Sequence, residues 1–178
     1  MASKTRDIHS FITEEDLGNG QTSFRIDRLL RDPEYLFETL HYTLVTRQHL
    51  TEYDIVCGIG TMGGVIASTI STQYSIPLTL IRHDHITTNS TRSVLYELDG
   101  YHHSVEVEHD SIKEGGRILI VDDVLTSGEV LVAAISLVNT FNPSHVDCLC
   151  FLEQKSLRGR DKLKSKHPTV GVYVCATV

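Results

Sequence analysis

Two adjacent carboxylates, Asp122 and Asp123, stand two apolar residues, Val124 and Leu125, ahead of Thr126, Ser127 and Gly128. A carboxylate pair accepts hydrogen bonds from sugar hydroxyls or holds a divalent metal. Two hydroxyls and a glycine at the start of a helix offer backbone N–H groups to a phosphate. Acids and phosphate cradle cannot face the same anion favourably, so they imply a ligand with phosphate at one point and hydroxyls or a bound cation at another. A second cluster lies upstream in Gly58-Ile59-Gly60-Thr61-Met62-Gly63-Gly64. Its glycines permit positive φ and close backbone approach, which suits a pyrophosphate held by N–H groups and the Thr61 hydroxyl. Close packing of a helix on a strand also favours glycine, so this cluster alone is weaker evidence.

The elements that must position these residues are legible around them. Ile118-Leu119-Ile120-Val121 is a continuous apolar run, as in a parallel strand covered on both faces. The acids follow at its carboxyl end, where open α/β sheets bind their ligands. After the turn, Val130, Leu131, Ala133, Ala134, Leu137 and Val138 recur at helical spacing. Asp32-Pro33 resembles an N-cap with proline at the first helical position, ahead of a helix carrying Leu36, Leu40 and Leu44. Strands are expected at Tyr53–Cys57, Pro77–Ile81, Val146–Leu152 and Val170–Cys175, with a helix from Val65 to Tyr74. The stretch to about Gln21 is polar and weakly patterned, and is expected to form a small cover over the sheet. Arg82 to Glu108 reads as a long polar loop rich in Thr, Ser, Asn and His. Its His83, His85, His102 and His103 have no His-x3-His helix face or cysteine partner to make a metal site.

Alternating strand and helix patterns without repeats or a dividing linker give one α/β domain over residues 1–178, a mostly parallel central sheet flanked by helices. At 178 residues, 40% apolar and 22% charged, the chain can bury a substantial core. A net charge of -7 argues against nonspecific nucleic-acid binding. No apolar stretch spans a bilayer and no secretory signal opens the chain, so no membrane partner is expected and the cytoplasm is the expected compartment. Cys57, Cys148, Cys150 and Cys175 lie in strand-like segments and read as small buried hydrophobes.

The run Arg117-Ile118-Leu119-Ile120-Val121-Asp122-Asp123-Val124-Leu125-Thr126-Ser127-Gly128 closely resembles the phosphoribosyl pyrophosphate (PRPP) signature of type I phosphoribosyltransferases. The likeness extends from about Phe24 to Val174 and is nearest to the adenine enzymes. Phe24-Arg25 with Leu29-Leu30-Arg31-Asp32-Pro33 resembles their base-side segment, and Tyr96-Glu97-Leu98-Asp99 their mobile-loop motif. Glu153 with Ser156-Leu157-Arg158-Gly159-Arg160-Asp161-Lys162-Leu163 is similar to their Glu-x-x-Ser-Leu-x-Gly-Arg-Glu-Lys-Leu. Gln21 to Asp27 also resembles the orotate enzymes, which rank second.

The resemblance implies transfer of the 5-phosphoribosyl group from PRPP to a purine, adenine favoured, with release of pyrophosphate. Alternatives are an orotate enzyme and a noncatalytic PRPP-binding regulator. It implies the type I fold with an N-terminal hood over residues 1–30, a mobile loop over 82–108, a Mg2+ cofactor held by Asp122 and Asp123, and a homodimer. PRPP would contact Asp122 to Val130, including Glu129. Pyrophosphate would contact Gly60, Thr61, Met62, Gly63 and Arg82. The nucleobase would meet Phe24, Arg25 and Gln154, with Asp99 handling a proton at the base or serving loop closure. Three departures stand out. Glu129-Val130 replaces a usual Gly-Thr, and at ~4 Å with an effective dielectric of ~20 each unit of like charge beside the phosphate costs ~4 kcal/mol. Glu129 must therefore point away, pair with a cation or abolish binding. His83-Asp84 replaces a usual basic run after Arg82, and no lysine occurs between Lys4 and Lys113. Pyrophosphate neutralisation would fall to Arg82, Arg92, histidines and magnesium. Gln154 stands where an apolar residue commonly stacks on adenine.

Overall fold

The computed structural model of the protein describes residues 7–18, 21–47, 52–84 and 90–178. Five contiguous strands of a seven-stranded sheet run parallel, the last of them at its edge. They are β3 (Ile55–Ile59), β4 (Leu78–His83), β7 (Arg117–Leu125), β8 (His145–Glu153) and β9 (Gly171–Thr177). An antiparallel ribbon of β5 (Thr91–Leu98) and β6 (Tyr101–Glu108) extends one edge, giving the order β5-β6-β4-β3-β7-β8-β9. A separate hairpin, β1 (Thr13–Gly18) with β2 (Gln21–Arg25), precedes the sheet.

Helices cover both faces, which is why the central strands lack polar alternation. In β3 all five residues are buried, and Ile118 to Val121 of β7 are buried in succession. Helix α1 (Pro33–Arg47) and helix α2 (Gly60–Tyr74) enclose one core with Val56, Leu119, Val121, Leu149 and Phe151. Helix α3 (Glu129–Asn139) encloses the other with Cys57, Ile118, Ile120 and Cys148, and short α4 (Gly159–Lys166) adds Leu163 to it. Asp32 caps α1 as its sequence suggests: the Tyr35 N–H donates to Asp32 Oδ1 at 3.1 Å. Cys57, Cys148 and Cys150 are fully buried free thiols, and Cys175 is half-buried.

Three expectations change. The glycine-rich segment is scarcely a loop, because β3 runs to Ile59 and α2 starts at Gly60, five residues before Val65. Strand β7 continues through Asp122 and Asp123 to Leu125 rather than stopping at Val121. The polar segment after Arg82 is mostly the β5–β6 ribbon, whose eight paired positions run from Thr91↔Glu108 to Leu98↔Tyr101. Its inward side, Arg92, Val94, Tyr96 and Leu98, alternates with the exposed Ser93, Leu95 and Glu97, a strand pattern masked by the polar composition. His85 lies outside the described residues.

Candidate active site

Asp122 and Asp123 sit where β7 leaves the core, and their local bonds differ. Asp122 Oδ1 accepts from the Asp123 N–H at 2.9 Å, and Asp123 Oδ1 from the Val124 N–H at 2.9 Å. Asp122 is pressed against α2: a Cβ on Gly63 would lie 2.7 Å from the Val121 carbonyl oxygen and 3.3 Å from Asp122 Oδ1. Burial first, and the neighbouring Asp123 charge second, push the Asp122 carboxyl well above the usual range. The pair thus sets a carboxyl whose burial favours its protonated form beside a second carboxyl group, a combination suited to two vicinal hydroxyls.

Beyond the pair, Gly128 adopts φ +84 and delivers the chain into α3. No side chain caps this helix start, so its first N–H groups point out of the turn formed by Thr126, Ser127 and Gly128. A cavity of about 40 Å³ joins the turn to the acids and is lined by Asp122, Val124, Leu125, Thr126, Gly128, Val130 and Leu131. Val130 packs against the core, and Glu129 forms an ion pair with Lys162 of α4. The second of the three options for Glu129 is the one realised: a cation from another helix neutralises it.

Helix α4 backs the turn directly. A Cβ on Gly128 would lie 2.9 Å from the Gly159 carbonyl oxygen, and one on Gly159 2.1 Å from the Thr126 carbonyl oxygen. Its other tether is the fork from Arg160 to the buried Glu153, with Nη2 2.7 Å from Oε2 and Nε 3.0 Å from Oε1. The segment from Glu153 to Leu163 therefore supports the turn from Thr126 to Gly128. Gly159 and Lys162 belong to the site's architecture, although their sequence neighbours gave no hint of a role at Glu129.

The glycine-rich junction faces the same end of the sheet. Gly60, with φ +57, begins α2 without a side-chain cap, and Thr61 is exposed beside it while Met62 turns half-buried toward the α1–α2 core. Gly58 and Gly63 serve close packing: a Cβ on Gly58 would lie 2.6 Å from Gly64 Cα. Arg82 lies 3.4 Å from Glu108 in an exposed pair and lines, with Gly60 and Thr61, a groove of about 840 Å³. Arg92 is engaged elsewhere. Its guanidinium donates to Thr140 at the end of α3 and stacks over Phe141, 4.0 Å from the ring centre, where a cation meets the helix's negative end.

The remaining candidates fall in two places. Gln154, at the end of β8, is buried, and its Nε2 donates to the Thr22 carbonyl oxygen at 3.4 Å, which brings β2 beside the ligand end of the sheet. Phe24 of β2 packs on the same core as Val124, whereas Arg25 points outward to Glu15 and Asp27 at 3.1 and 3.2 Å. Asp99 forms the exposed tip of the ribbon at φ +52, followed by Gly100 at φ +80. Two successive left-handed residues are what a two-residue hairpin turn demands, and this accounts for Asp-Gly there. Among the described residues no three His, Cys, Asp or Glu side chains converge on a metal position. Magnesium commonly binds through one or two carboxylates completed by substrate phosphates and water, and the acidic pair fits that shared kind of site.

A model of the phosphoribosyl transferase domain matches residues 29–172 of this chain. Adenine phosphoribosyltransferase of Acetivibrio thermocellus is 29% identical over 164 residues, covering 92% of this chain and 93% of the relative. The enzyme of the same name from Stochomys longicaudatus is 28% identical over 140 residues, 78% of each chain. Among solved structures, adenine phosphoribosyltransferase from Rhodothermus marinus superposes with a TM-score of 0.83 at 22% identity over 96% of each chain. The Giardia lamblia enzyme complexed with 9-deazaadenine does so with a TM-score of 0.83 at 17% identity, covering 97% of this chain and 96% of its own. At such identities the superpositions speak for the fold, and the domain match spans the acidic pair, the phosphate turn and the helix behind it. The chain belongs to the phosphoribosyl transferase domain family.

Proposed function

We propose that this protein transfers the 5-phosphoribosyl group from PRPP to adenine, yielding the nucleotide and pyrophosphate in purine salvage. The observation that carries the reading is the acidic pair of β7 opening onto the uncapped start of α3, with Glu129 neutralised by Lys162. The turn from Thr126 to Gly128 would hold the 5′-phosphate, while Asp122 donates to and Asp123 accepts from the ribose hydroxyls. The start of α2 would receive the pyrophosphate on its free N–H groups. Phe24 and Gln154 would flank the base: one N–H of the Gln154 amide donates to Thr22, which leaves its oxygen and second N–H to meet the edge of a purine.

Catalysis is then positioning and charge stabilisation. The sugar C1–O bond breaks with its electron pair on the leaving oxygen, and a base nitrogen bonds to C1 from the opposite face. Magnesium, when bound with PRPP, neutralises the departing charge. The cytoplasm is the proposed compartment, in keeping with four free thiols. A homodimer is supported by the exposed Val65, Leu78 and Leu80 beside the groove between α2 and β4. Leu80→Asp should shift the native mass in light scattering to that of a monomer.

The test is pyrophosphate release from PRPP and magnesium with adenine, hypoxanthine, guanine and orotate supplied separately, against a control without base. Turnover with adenine above the others is expected. Silence with all four from folded protein would leave a PRPP-binding protein without the reaction, and preference for orotate would reassign the base.

A further inference from the structure

The cations of this chain gather on one side of the site. Six of its sixteen Lys and Arg residues fall between Lys155 and Lys166, with Asp161 as the one acid among them, in a chain whose net charge is -7. The other side is acidic. From Thr91 to Asp110, Arg92 is the one Lys or Arg among five acids, Glu97, Asp99, Glu106, Glu108 and Asp110. In the sheet order this ribbon lies to one side of β7, while β8, which leads into α4, lies to the other. Because β6 pairs antiparallel with β4, with His83 opposite Val105, the ribbon tip at Asp99 stands beyond the carboxyl ends of the parallel strands. The turn from Thr126 to Gly128 thus opens between an acidic ribbon and a basic helix.

Two of the six cations are committed: Arg160 to Glu153 and Lys162 to Glu129. Lys155, Lys164 and Lys166 are exposed, and their side chains have no ion-pair partner among the described residues. Arg158 is 79% exposed, and its partner Asp161 is 61% exposed. Lys155 and Arg158 fall on open positions of the Glu-x-x-Ser-Leu-x-Gly-Arg-Glu-Lys-Leu pattern, and Lys164 and Lys166 lie past its end, so the family resemblance gives none of them a role. Helix stability explains Lys164 and Lys166 in part, because they sit near the negative end of α4. It does not explain Lys155 and Arg158, which precede the positive end of that helix. Gly159 touches the turn at Gly128, and helical rise carries Lys164 and Lys166 roughly 7 and 10 Å further on. Lys155 adjoins Gln154, whose N–H donates to the Leu125 carbonyl oxygen at 2.9 Å. Charges so placed act on an approaching anion through water, over a screening length of about 8 Å at physiological salt.

We propose that Lys155, Arg158, Lys164 and Lys166 form a capture surface for phosphate-bearing substrates, drawing the 5′-phosphate end to the turn from the α4 side while the acidic ribbon repels it from the other. The proposal rests on the phosphate role proposed above for the turn, and adds a route and a rate to it. Cations beside a site raise the encounter rate of an anion by about 10- to 1,000-fold, an effect that salt removes. The four side chains stay in water and outside the turn, so they speed arrival and leave the departure of the bound ligand almost unchanged. On the pyrophosphate side, Arg82 is paired with Glu108, and no lysine occurs between Lys4 and Lys113. The 5′-phosphate is therefore the end that engages first. One eight-residue helix facing an acidic ribbon suits a small polyanion better than a nucleic acid, which needs a broader basic face.

Stopped-flow association of PRPP with magnesium, and separately of AMP, tests this on the full chain and on a variant combining Lys155→Gln, Arg158→Gln, Lys164→Gln and Lys166→Gln. At ~10 mM salt, where the screening length is about 30 Å, the variant should take up PRPP about tenfold more slowly, and AMP more slowly by a smaller factor. At ~1 M salt, where that length is about 3 Å, native chain and variant should coincide. Dissociation rates, kcat and the KM for adenine, a neutral ligand, should hold. Lys164→Glu with Lys166→Glu, which leaves the start of α4 intact, should slow PRPP in the same salt-dependent way. Equal association rates at low salt would overturn the proposal. So would a slower rate that persists at ~1 M salt, which would make these residues contacts. A single-stranded oligonucleotide that binds the native chain and not the variant, with PRPP uptake unchanged, would overturn it in favour of a nucleic-acid surface. Native protein that captures PRPP through these residues and yet makes no nucleotide from adenine would refute the transfer reading and uphold the capture surface, whereas native protein that binds neither PRPP nor AMP would refute both.

Discussion

Single residues carry the electrostatics of this site. Asp123 is half-buried at the ligand end of β7, and Asp123→Asn should weaken PRPP by tenfold or more, from loss of a charge-assisted hydrogen bond of about 1.5–3 kcal/mol. The chain should melt as before, and unchanged PRPP affinity in calorimetry would remove the assigned role. Lys162→Met leaves Glu129 unpaired beside the incoming phosphate. PRPP affinity should then fall, and adding Glu129→Gln should recover most of it; a double variant as weak as the single one would show that Lys162 acts otherwise. Asp122 lends itself to a pH test. Its folded carboxyl titrates above the unfolded one, so the folded chain binds more protons, and its contribution to stability declines as pH rises from the unfolded value toward the raised one. In the absence of ligand and magnesium, Asp122→Asn should melt with the native protein near pH 4 and above it at pH 8. Equal melting at both would mean that the carboxyl is not held neutral.

At the scale of elements, the site is a meeting of helix starts enforced by glycines. At Gly63 the helix α2 lies tight against β7, so Gly63→Ala must push the helix away from Val121 and Asp122. Overpacking of this kind costs about 1–3 kcal/mol, and PRPP affinity should drop with the displaced N–H groups. A variant with native stability and affinity would place the helix elsewhere. The elements also explain what the sequence disclosed. Ile118 to Val121, the acids and the turn to Gly128 were readable because buried strand, ligand end and helix start each leave a local signature. The Arg82–Glu108 segment was not: its inward face uses Arg92 and Tyr96, which satisfy the helix end at Thr140 and the imidazole at His83, so polarity concealed the alternation. The start of α2 was missed because glycines suggest a loop, whereas here they let a helix begin against a strand. Lys162 and Gly159 acquire their roles only when α4 is laid against the turn, a tertiary fact without a local pattern.

The whole molecule separates function from cohesion along its strands. The proposed ligand groups gather at the carboxyl ends, while the opposite end holds a buried carboxylate, Asp147, as a knot. It accepts from the Tyr53 hydroxyl at 2.8 Å and the Gly171 N–H at 3.0 Å, with His145 Nε2 at 2.6 Å. Tyr53→Phe should therefore cost about 1.5–3 kcal/mol and several degrees of melting temperature. KM values for PRPP and adenine should hold, and a kinetic defect equal to the stability loss would contradict the separation.

The order of strands has a bearing on how the chain first becomes a protein. β3 meets β4 early, at Val56↔Leu78, but its other neighbour is β7, with Ile55 opposite Ile118. During synthesis the edge of β3 that will become the middle of the sheet waits, unpaired and apolar, until some sixty further residues have emerged. Long-range parallel pairing of this kind is slow to nucleate, and an open apolar edge invites other chains. Newly made molecules should therefore depend on chaperones or low concentration until β7 arrives, and the strand that brings Asp122 and Asp123 is also the one that ends that exposure.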